Sequence, residues 1–97
     1  MEHLEALQEW YARACDGDWE HSFGIKIDTL DNPGWIVSID IRETPIEGRI
    51  CDLDQEFDEE EWLHVTCDGK VFRAACGPRS LDRGIGAFLQ FADQEID

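Results

Sequence analysis

Apolar residues near the amino terminus recur with the spacing of one helix face. They are Leu4, Leu7, Trp10, Tyr11 and Ala14. This spacing predicts a helix over residues 2–15. We expect the helix to stop at Asp16-Gly17, because glycine readily adopts the left-handed conformation that closes a helix.

Two segments with strand periodicity follow this helix. Apolar residues recur at every second position, first at Phe23, Ile25 and Ile27, then at Trp35, Val37, Ile39 and Ile41. The positions between them are polar or small, apart from Ile36. Between them, Asn32-Pro33-Gly34 predicts a turn in which Gly34 takes the positive φ of a type II bend. The pattern indicates an antiparallel hairpin with a slightly enlarged loop.

A second hairpin is predicted around Asp68-Gly69, which separates residues 62–67 from 70–76. If Cys67 pairs with Lys70, two pairs face each other on the inner side, Val65 with Phe72 and Leu63 with Ala74. The outer side then carries Trp62, His64, Val71 and Arg73.

The segment between the two hairpins has a weaker pattern. A short third strand around residues 49–53 is compatible with it. Seven of the ten residues from 52 to 61 are acidic, which is too charged for a central strand. We therefore predict an exposed loop over 52–61.

A closing helix is expected after Pro78, with Ser80 as its amino-terminal cap. Its apolar residues with helical spacing are Leu81, Ile85, Phe88, Leu89, Ala92 and Ile96. The element order predicts one α+β domain over residues 1–97. We expect an N-terminal helix, an antiparallel four- or five-stranded meander and a C-terminal helix, with both helices on one sheet face and the other face partly open.

The chain is strongly acidic. It carries 23 Asp and Glu against 8 Lys and Arg, a net charge of −15 over 97 residues. This charge disfavours binding to nucleic acid and to anionic membranes, and it favours a basic protein partner. The sequence has neither a secretion signal nor a membrane-spanning segment, so we expect a cytoplasmic protein. The oligomeric state stays open.

Candidate chemistry is sparse, and we expect no catalytic residues, no cofactor and no metal. Asp16, Asp18 and Glu20 alternate as in a calcium loop, but the required glycine and glutamate are replaced by His21 and Ile27. Cys15 with His21 is the sharpest nucleophile pair, yet the end of a helix and its acidic neighbours disfavour a thiolate. The four cysteines, at irregular spacing, are expected to be reduced thiols.

The tryptophans divide into two groups. Trp10 and Trp35 fall on apolar phases, which indicates core positions. Trp19 follows a turn and Trp62 lies on the outer phase of its hairpin, so these two are candidate anchors for a partner. Packing against a neighbouring loop is the alternative for both.

Two short motifs carry a family resemblance. Cys-Asp-Gly-Asp-Trp-Glu-His at 15–21 and Thr-Leu-Asp-Asn-Pro-Gly-Trp at 29–35, together with Trp10-Tyr11 and Ile39-Asp40, resemble the immunity protein 53 family of bacterial polymorphic toxin systems. The match is specific over residues 10–44 and weaker beyond Pro45. This chain has Phe23 where the family more often has Tyr. The resemblance implies a small cytoplasmic protein that binds a cognate toxin, often a nuclease, and protects the producing cell.

The charge agrees with that implication, because a nuclease presents a basic surface to phosphate. We expect stoichiometric occlusion of the toxin. Two alternatives stay open, a small acidic enzyme using clustered carboxylates and an acidic adaptor without a toxin partner. It also stays open whether the motifs are structural or interfacial. The candidate partner-binding residues are Asp18, Trp19, Glu20, Asp54, Glu56, Asp58, Glu59, Glu60, Glu61 and Trp62.

Overall fold

The predicted α+β architecture, with a helix at each end of an antiparallel sheet, is confirmed by a computed structural model. The structure describes residues 2–56, 58 and 60–93. Its elements are α1 (Glu2–Ala14), α2 (Trp19–Ser22), β1 (Ile25–Leu30), β2 (Gly34–Asp40), β3 (Ile50–Glu56), β4 (Trp62–Asp68), β5 (Val71–Cys76) and α3 (Leu81–Asp93).

The five strands form one antiparallel sheet in the order β1-β2-β5-β4-β3. The predicted meander is therefore wrong in its order, because β2 pairs with β5 rather than with β3. Burial explains the arrangement. The inner positions of β2, β5 and β4 are apolar and buried. Strand β3 has acids at alternate positions, and these acids can stay hydrated because β3 lies at a sheet edge.

Strand β3 also corrects the predicted loop over 52–61. Residues 52–56 belong to this strand, which pairs with β4 from Ile50 opposite Asp68 to Glu56 opposite Trp62. The third strand is thus confirmed and is longer than predicted. Its exposure was predicted correctly, since Asp52, Leu53 and the residues up to Glu56 are exposed.

The first hairpin is confirmed, but the role of its glycine was predicted wrongly. The three residues 31–33 connect Leu30 to its partner Gly34. In the described part of the chain, positive φ occurs at Gly17, Gly48, Gly69 and Glu43, and not at Gly34. Gly34 is required by close packing instead, because a Cβ there would lie 2.4 Å from the carbonyl oxygen of Cys76.

The second hairpin is confirmed with its register shifted by two residues. Cys67 lies opposite Phe72, and Val65 lies opposite Ala74. The turn is at Gly69-Lys70, because the Asp68 carboxylate accepts the backbone N–H groups of Lys70 and Val71, both at 2.9 Å. Since side chains alternate with period two, a shift of two keeps every predicted face.

Both helices lie on the same face of the sheet, which we call the inner face. Helix α3 packs over the central strands, with Phe88 edge-on to Phe72 at 5.0 Å between ring centroids. Helix α1 packs along α3, where Trp10 meets Phe88 at 4.9 Å. The buried core is Leu7, Val37, Ile39, Ile41, Ile46, Leu63, Val65, Cys67, Phe72, Ala74, Cys76, Ile85, Phe88 and Phe91.

The helix ends differ in detail from the prediction. Helix α1 ends at Ala14, and Gly17 has the expected positive φ of 99° in the following turn. Ser80 precedes α3 and its carbonyl accepts the N–H of Gly84, but its buried hydroxyl has no partner among the described residues, so the side-chain cap is not observed. The predicted core residue Ile96 lies outside the described residues.

Because Gly34 packs closely against the Cys76 carbonyl, adding even a methyl group at this position should lower the stability of the fold. We expect Gly34→Ala to lower the free energy of unfolding by about 1 to 3 kcal/mol, because the methyl group would force the two central strands apart. Chemical denaturation measures this. Gly24→Ala is the control, since a Cβ at Gly24 meets nothing within 4 Å. Equal stability of the two variants would show that the strands do not approach this closely.

Candidate functional site

The sheet face opposite the helices, which we call the outer face, is open. The register aligns its side chains in rows across the strands. One row runs Asp28, Ile36, Ala75, His64 and Asp54. Trp62, His64, Val71 and Arg73 all lie on this face, as predicted from the alternation of the second hairpin.

One border of the outer face is an acidic edge formed by Asp52, Asp54 and Glu56 of β3. They lie opposite Thr66, His64 and Trp62 of β4 and point to the same side. The imidazole Nδ1 of His64 contacts the Asp54 carboxylate. In the described chain, no basic side chain contacts Asp52 or Glu56, so this edge presents uncompensated negative charge.

Trp62 lies across a floor of two glycines. A Cβ on Gly34 would be 3.2 Å from its ring, and one on Gly77 would be 3.3 Å from it. The N–H of Gly77 also donates to the Trp62 carbonyl at 3.0 Å. The indole is therefore packed on β2 and the end of β5, and Trp62 is half-buried. Trp62 therefore packs locally, and its role as an anchor for a partner stays a prediction.

A shallow depression surrounds the Trp62 ring, and we call it the Trp62 cleft. Its lining residues are Leu30, Asn32, Glu56, Asp58, Trp62 and His64. Asp58 is fixed there, because its Oδ1 accepts the backbone N–H groups of Glu60 and Glu61 at 2.8 Å each. The cleft thus combines an aromatic ring with two carboxylates.

The other end of the outer face has the opposite charge. Lys26, Arg42 and Arg73 line a second depression there. Arg42 stacks 4.8 Å from the centre of the Phe23 ring and pairs with Asp40 at 2.6 Å. Burial raises the pKa of Asp40, but the hydrogen bonds and charge of Arg42 outweigh it and hold that pKa below its ordinary value. The outer face is therefore divided into an acidic and a basic end.

Trp19 was predicted as a surface anchor, and this is wrong. Its side chain is 0% exposed. The short helix α2, which the pattern did not predict, folds Trp19 against Trp10 and Tyr11 of α1, with ring centroids at 5.8 and 5.9 Å. Four residues are too few to show helical periodicity, so this burial could not be predicted from the pattern.

The carboxylates of Asp16 and Glu20 accept backbone hydrogen bonds in the turn around Trp19. Asp16 Oδ1 accepts the N–H groups of Asp18 and Trp19 at 2.9 Å each. The Glu20 carboxylate accepts those of Asp16 and Gly17 at 2.9 to 3.1 Å. The motif at 15–21 is therefore structural in its described contacts. Asp18 is exposed and its side chain makes no cap hydrogen bond.

The motif at 29–35 is also structural in its described contacts. Gly34 lies against β5, and the indole N–H of Trp35 donates to the Pro78 carbonyl at 3.0 Å. Trp35 is half-buried and packs against the core. This hydrogen bond ties the end of the first hairpin to the entry of α3.

The remaining predicted acids do not form one site. Glu61 is half-buried and lies 3.5 Å from Arg83 of α3. Glu60 is exposed, and Glu59 lies outside the described residues. Asp18 and Glu20 are near α1 and β1, at the opposite sheet edge from β3. The structure therefore brings together Asp54, Glu56, Asp58 and Trp62, and it separates Asp18 and Glu20 from them.

Three of the four cysteine thiols have a raised pKa. Burial raises the pKa of Cys51, Cys67 and Cys76, which disfavours their thiolate forms. Among residues 2–56, 58 and 60–93, no group of three His, Cys, Asp or Glu side chains is placed to hold a metal ion. In the same residues, none of the helices has the length and apolarity to cross a bilayer.

The fold and its surface are those of a small acidic α+β domain with one open sheet face. The family model for immunity protein 53 matches residues 4–93, and the chain belongs to that family. The match extends well beyond Pro45, where the sequence resemblance was weak. Comparisons with curated proteins and with solved structures found no match. Family membership supports a toxin-neutralising immunity role and implies a toxin as partner, and such families are generally not enzymes.

The Asp16 turn predicts a specific dependence of stability on pH. Hydrogen bonds from the N–H groups of Trp19 and Asp18 lower the pKa of Asp16 below its ordinary 3.8. The contribution of the Asp16 carboxylate to folding stability is therefore complete above pH 3.8, and it is lost as the pH falls through the folded-state pKa. We expect wild type to exceed Asp16→Asn in stability at neutral pH, and the gap to shrink on acidification.

Denaturation at a series of pH values measures this gap. Asp31→Asn removes the same charge from an exposed loop position whose side chain accepts no hydrogen bond among the described residues, so its gap should stay nearly constant. A gap for Asp16→Asn that does not change with pH would contradict the role of the carboxylate in the turn.

Proposed function

We propose that this chain neutralises a cognate toxin, a nuclease with a basic surface, by binding it stoichiometrically through the acidic end of the outer face. The observation that carries the proposal is the acidic edge. Asp52, Asp54 and Glu56 project from an edge strand to one side of the sheet, next to an accessible Trp62.

The choice of face follows from packing. The inner face is covered by α1 and α3, which bury its apolar side chains in the core. Among the described residues, no helix packs over the outer face, and β3 lies at the border of the sheet. A partner can therefore contact the acidic edge without any rearrangement of the fold, which keeps the cost of binding low.

The charge supports a basic partner. A nuclease must hold phosphate groups, so the surface around its active site is positive. With a net charge of −15, this chain attracts such a surface over a distance and increases the association rate. Covering that surface excludes the nucleic acid, and no covalent chemistry is needed.

Occlusion also fits the side chains better than catalysis does. The thiol pKa values of Cys51, Cys67 and Cys76 are raised, and two acids of the 15–21 motif accept backbone hydrogen bonds. An adaptor without a toxin partner has less support, because immunity families act on toxins. A standard interface of about 1,600 Å² with a few buried anchors is sufficient for nanomolar binding.

Charge removal at the acidic edge should slow binding to the cognate toxin. We expect Asp52→Asn with Glu56→Gln to lower the association rate on the order of 3- to 10-fold at low salt, because these charges steer the encounter. The control is Glu5→Gln with Glu9→Gln, exposed on α1, which changes the net charge equally. Surface plasmon resonance or stopped flow gives the rates.

The difference between the two double variants should disappear near 1 M salt, where the screening length is about 3 Å. If both double variants slow association equally at low salt, only the net charge matters. The acidic edge would then not be the binding surface.

A further inference from the structure

We propose that the Trp62 cleft binds the side chain of an arginine from the toxin. This inference rests on the proposed function and adds the chemistry of one contact. The aromatic ring and the carboxylates of the cleft are complementary to a guanidinium group in shape and charge.

The indole of Trp62 is held in place before any partner binds. One side of it lies over Gly34 and Gly77, where any larger residue would collide with the ring or with the backbone. The two glycines therefore leave space for the flat indole ring to pack against the backbone. A cation stacked on an indole gains electrostatic attraction from the ring, and tryptophan is the strongest such partner.

The carboxylates lie beside this ring. Glu56 is the direct cross-strand partner of Trp62 and is exposed. Asp58 uses Oδ1 for two backbone N–H groups, which fixes the carboxylate and leaves Oδ2 for another donor. The described residues that line the cleft include no lysine or arginine. Among these described lining residues, His64 is the one basic side chain; its ring lies 5.3 Å from the Trp62 ring and its Nδ1 contacts Asp54. A cation from a partner would thus find the carboxylates of Glu56 and Asp58 as acceptors.

Arginine fits this arrangement better than lysine. Its planar guanidinium can stack on the indole while its in-plane N–H groups donate to carboxylates, whereas an ammonium acts as a point charge. Leu30, at the β1 side of the cleft, offers an apolar surface to the methylene stem. The second depression of the outer face provides a contrast within the same molecule, because Lys26, Arg42 and Arg73 line it.

Nuclear magnetic resonance of the isotope-labelled full chain tests the assignment without the toxin. The probe is a capped Gly-Arg-Gly tripeptide, compared with its citrulline and lysine counterparts. We expect the arginine peptide to shift the Trp62 indole signal and the amides of Glu56 and His64. The indole signals of Trp10, Trp19 and Trp35 serve as internal controls. Citrulline has nearly the same shape without charge, and we expect its binding to be at least about fivefold weaker.

Variants identify the groups responsible. Glu56→Gln should weaken binding of the arginine peptide about two- to fivefold, whereas Glu5→Gln on α1 should not change it. Trp62→Leu should reduce binding further, read from the amides of Glu56 and His64. Trp62→Phe retains a ring on the glycine floor and should keep part of the affinity, which separates loss of stacking from loss of the fold.

Four results would overturn the assignment. The first is a set of NMR shifts spread evenly over all exposed acids, and the second is equal affinity for the citrulline and arginine peptides. The third is tighter binding of the lysine peptide than of the arginine peptide. The fourth is a Trp62 signal that changes with protein concentration alone, which would indicate self-association. Because no toxin is used, these outcomes are independent of the proposed function. If the toxin binds through the acidic edge but the arginine peptide does not shift the Trp62 indole signal, the proposed function stands and the cleft assignment fails.

Discussion

The pairing of β2 with β5 is the constraint on which the rest of the structure depends. It joins a hairpin from the first half of the chain to a three-stranded unit from the second half. On the inner side, this pairing brings Val37 opposite Ala74 and Ile39 opposite Phe72, all fully buried. Without it, each half would expose its apolar face, and neither would have a core of its own.

The same pairing creates the outer face. Trp35 lies opposite Cys76, so Gly34 and Gly77 come side by side just beyond this pair. Their lack of side chains gives Trp62 its floor. The pairing also sets β4 and then β3 outside β5, which leaves the acidic strand at the border. One interaction therefore determines both where the core forms and where the negative charge is displayed.

Core formation and the display of negative charge are separated in this chain, with apolar residues under the helices and acids at the edges and turns. Apolar residues of β2, β4 and β5 are buried under the helices, and many of the acids remain hydrated at edges and turns. Several acids near turns, such as Asp16, Glu20, Asp58 and Asp68, accept backbone N–H groups. These carboxylates stabilise local structure, so the net charge overstates how many acids are available to a partner.

Periodicity predicted most of the fold, because side-chain direction depends only on whether a position is odd or even along a strand. For this reason the faces of β4 and β5 were right although their register was two residues off. The strand order was not predictable, since β3 and β5 are both compatible with pairing to β2 until burial of the whole sheet is considered. The acids of β3 suggested a loop, because local charge does not reveal that an edge strand tolerates it.

The candidate site was predictable only in part, for similar reasons. Glu56 and Trp62 could be assigned to a surface from charge and alternation, but their direct pairing required the β3–β4 register. Trp19 was misassigned because its burial depends on how α2 folds back on α1, a tertiary contact. Gly34 was predicted to provide the positive φ of a turn, but its role is close contact across the sheet, which depends on the β2–β5 pairing.

The central claim is that this chain neutralises a toxin by covering it, and a titration tests that claim most directly. A fixed amount of the cognate toxin is mixed with increasing amounts of this protein, and the residual toxin activity is followed. The account predicts inhibition that is complete near an equimolar ratio and that reverses when the complex is dissociated. Lasting inactivation of the toxin at far less than one equivalent would mean catalysis and would contradict the account.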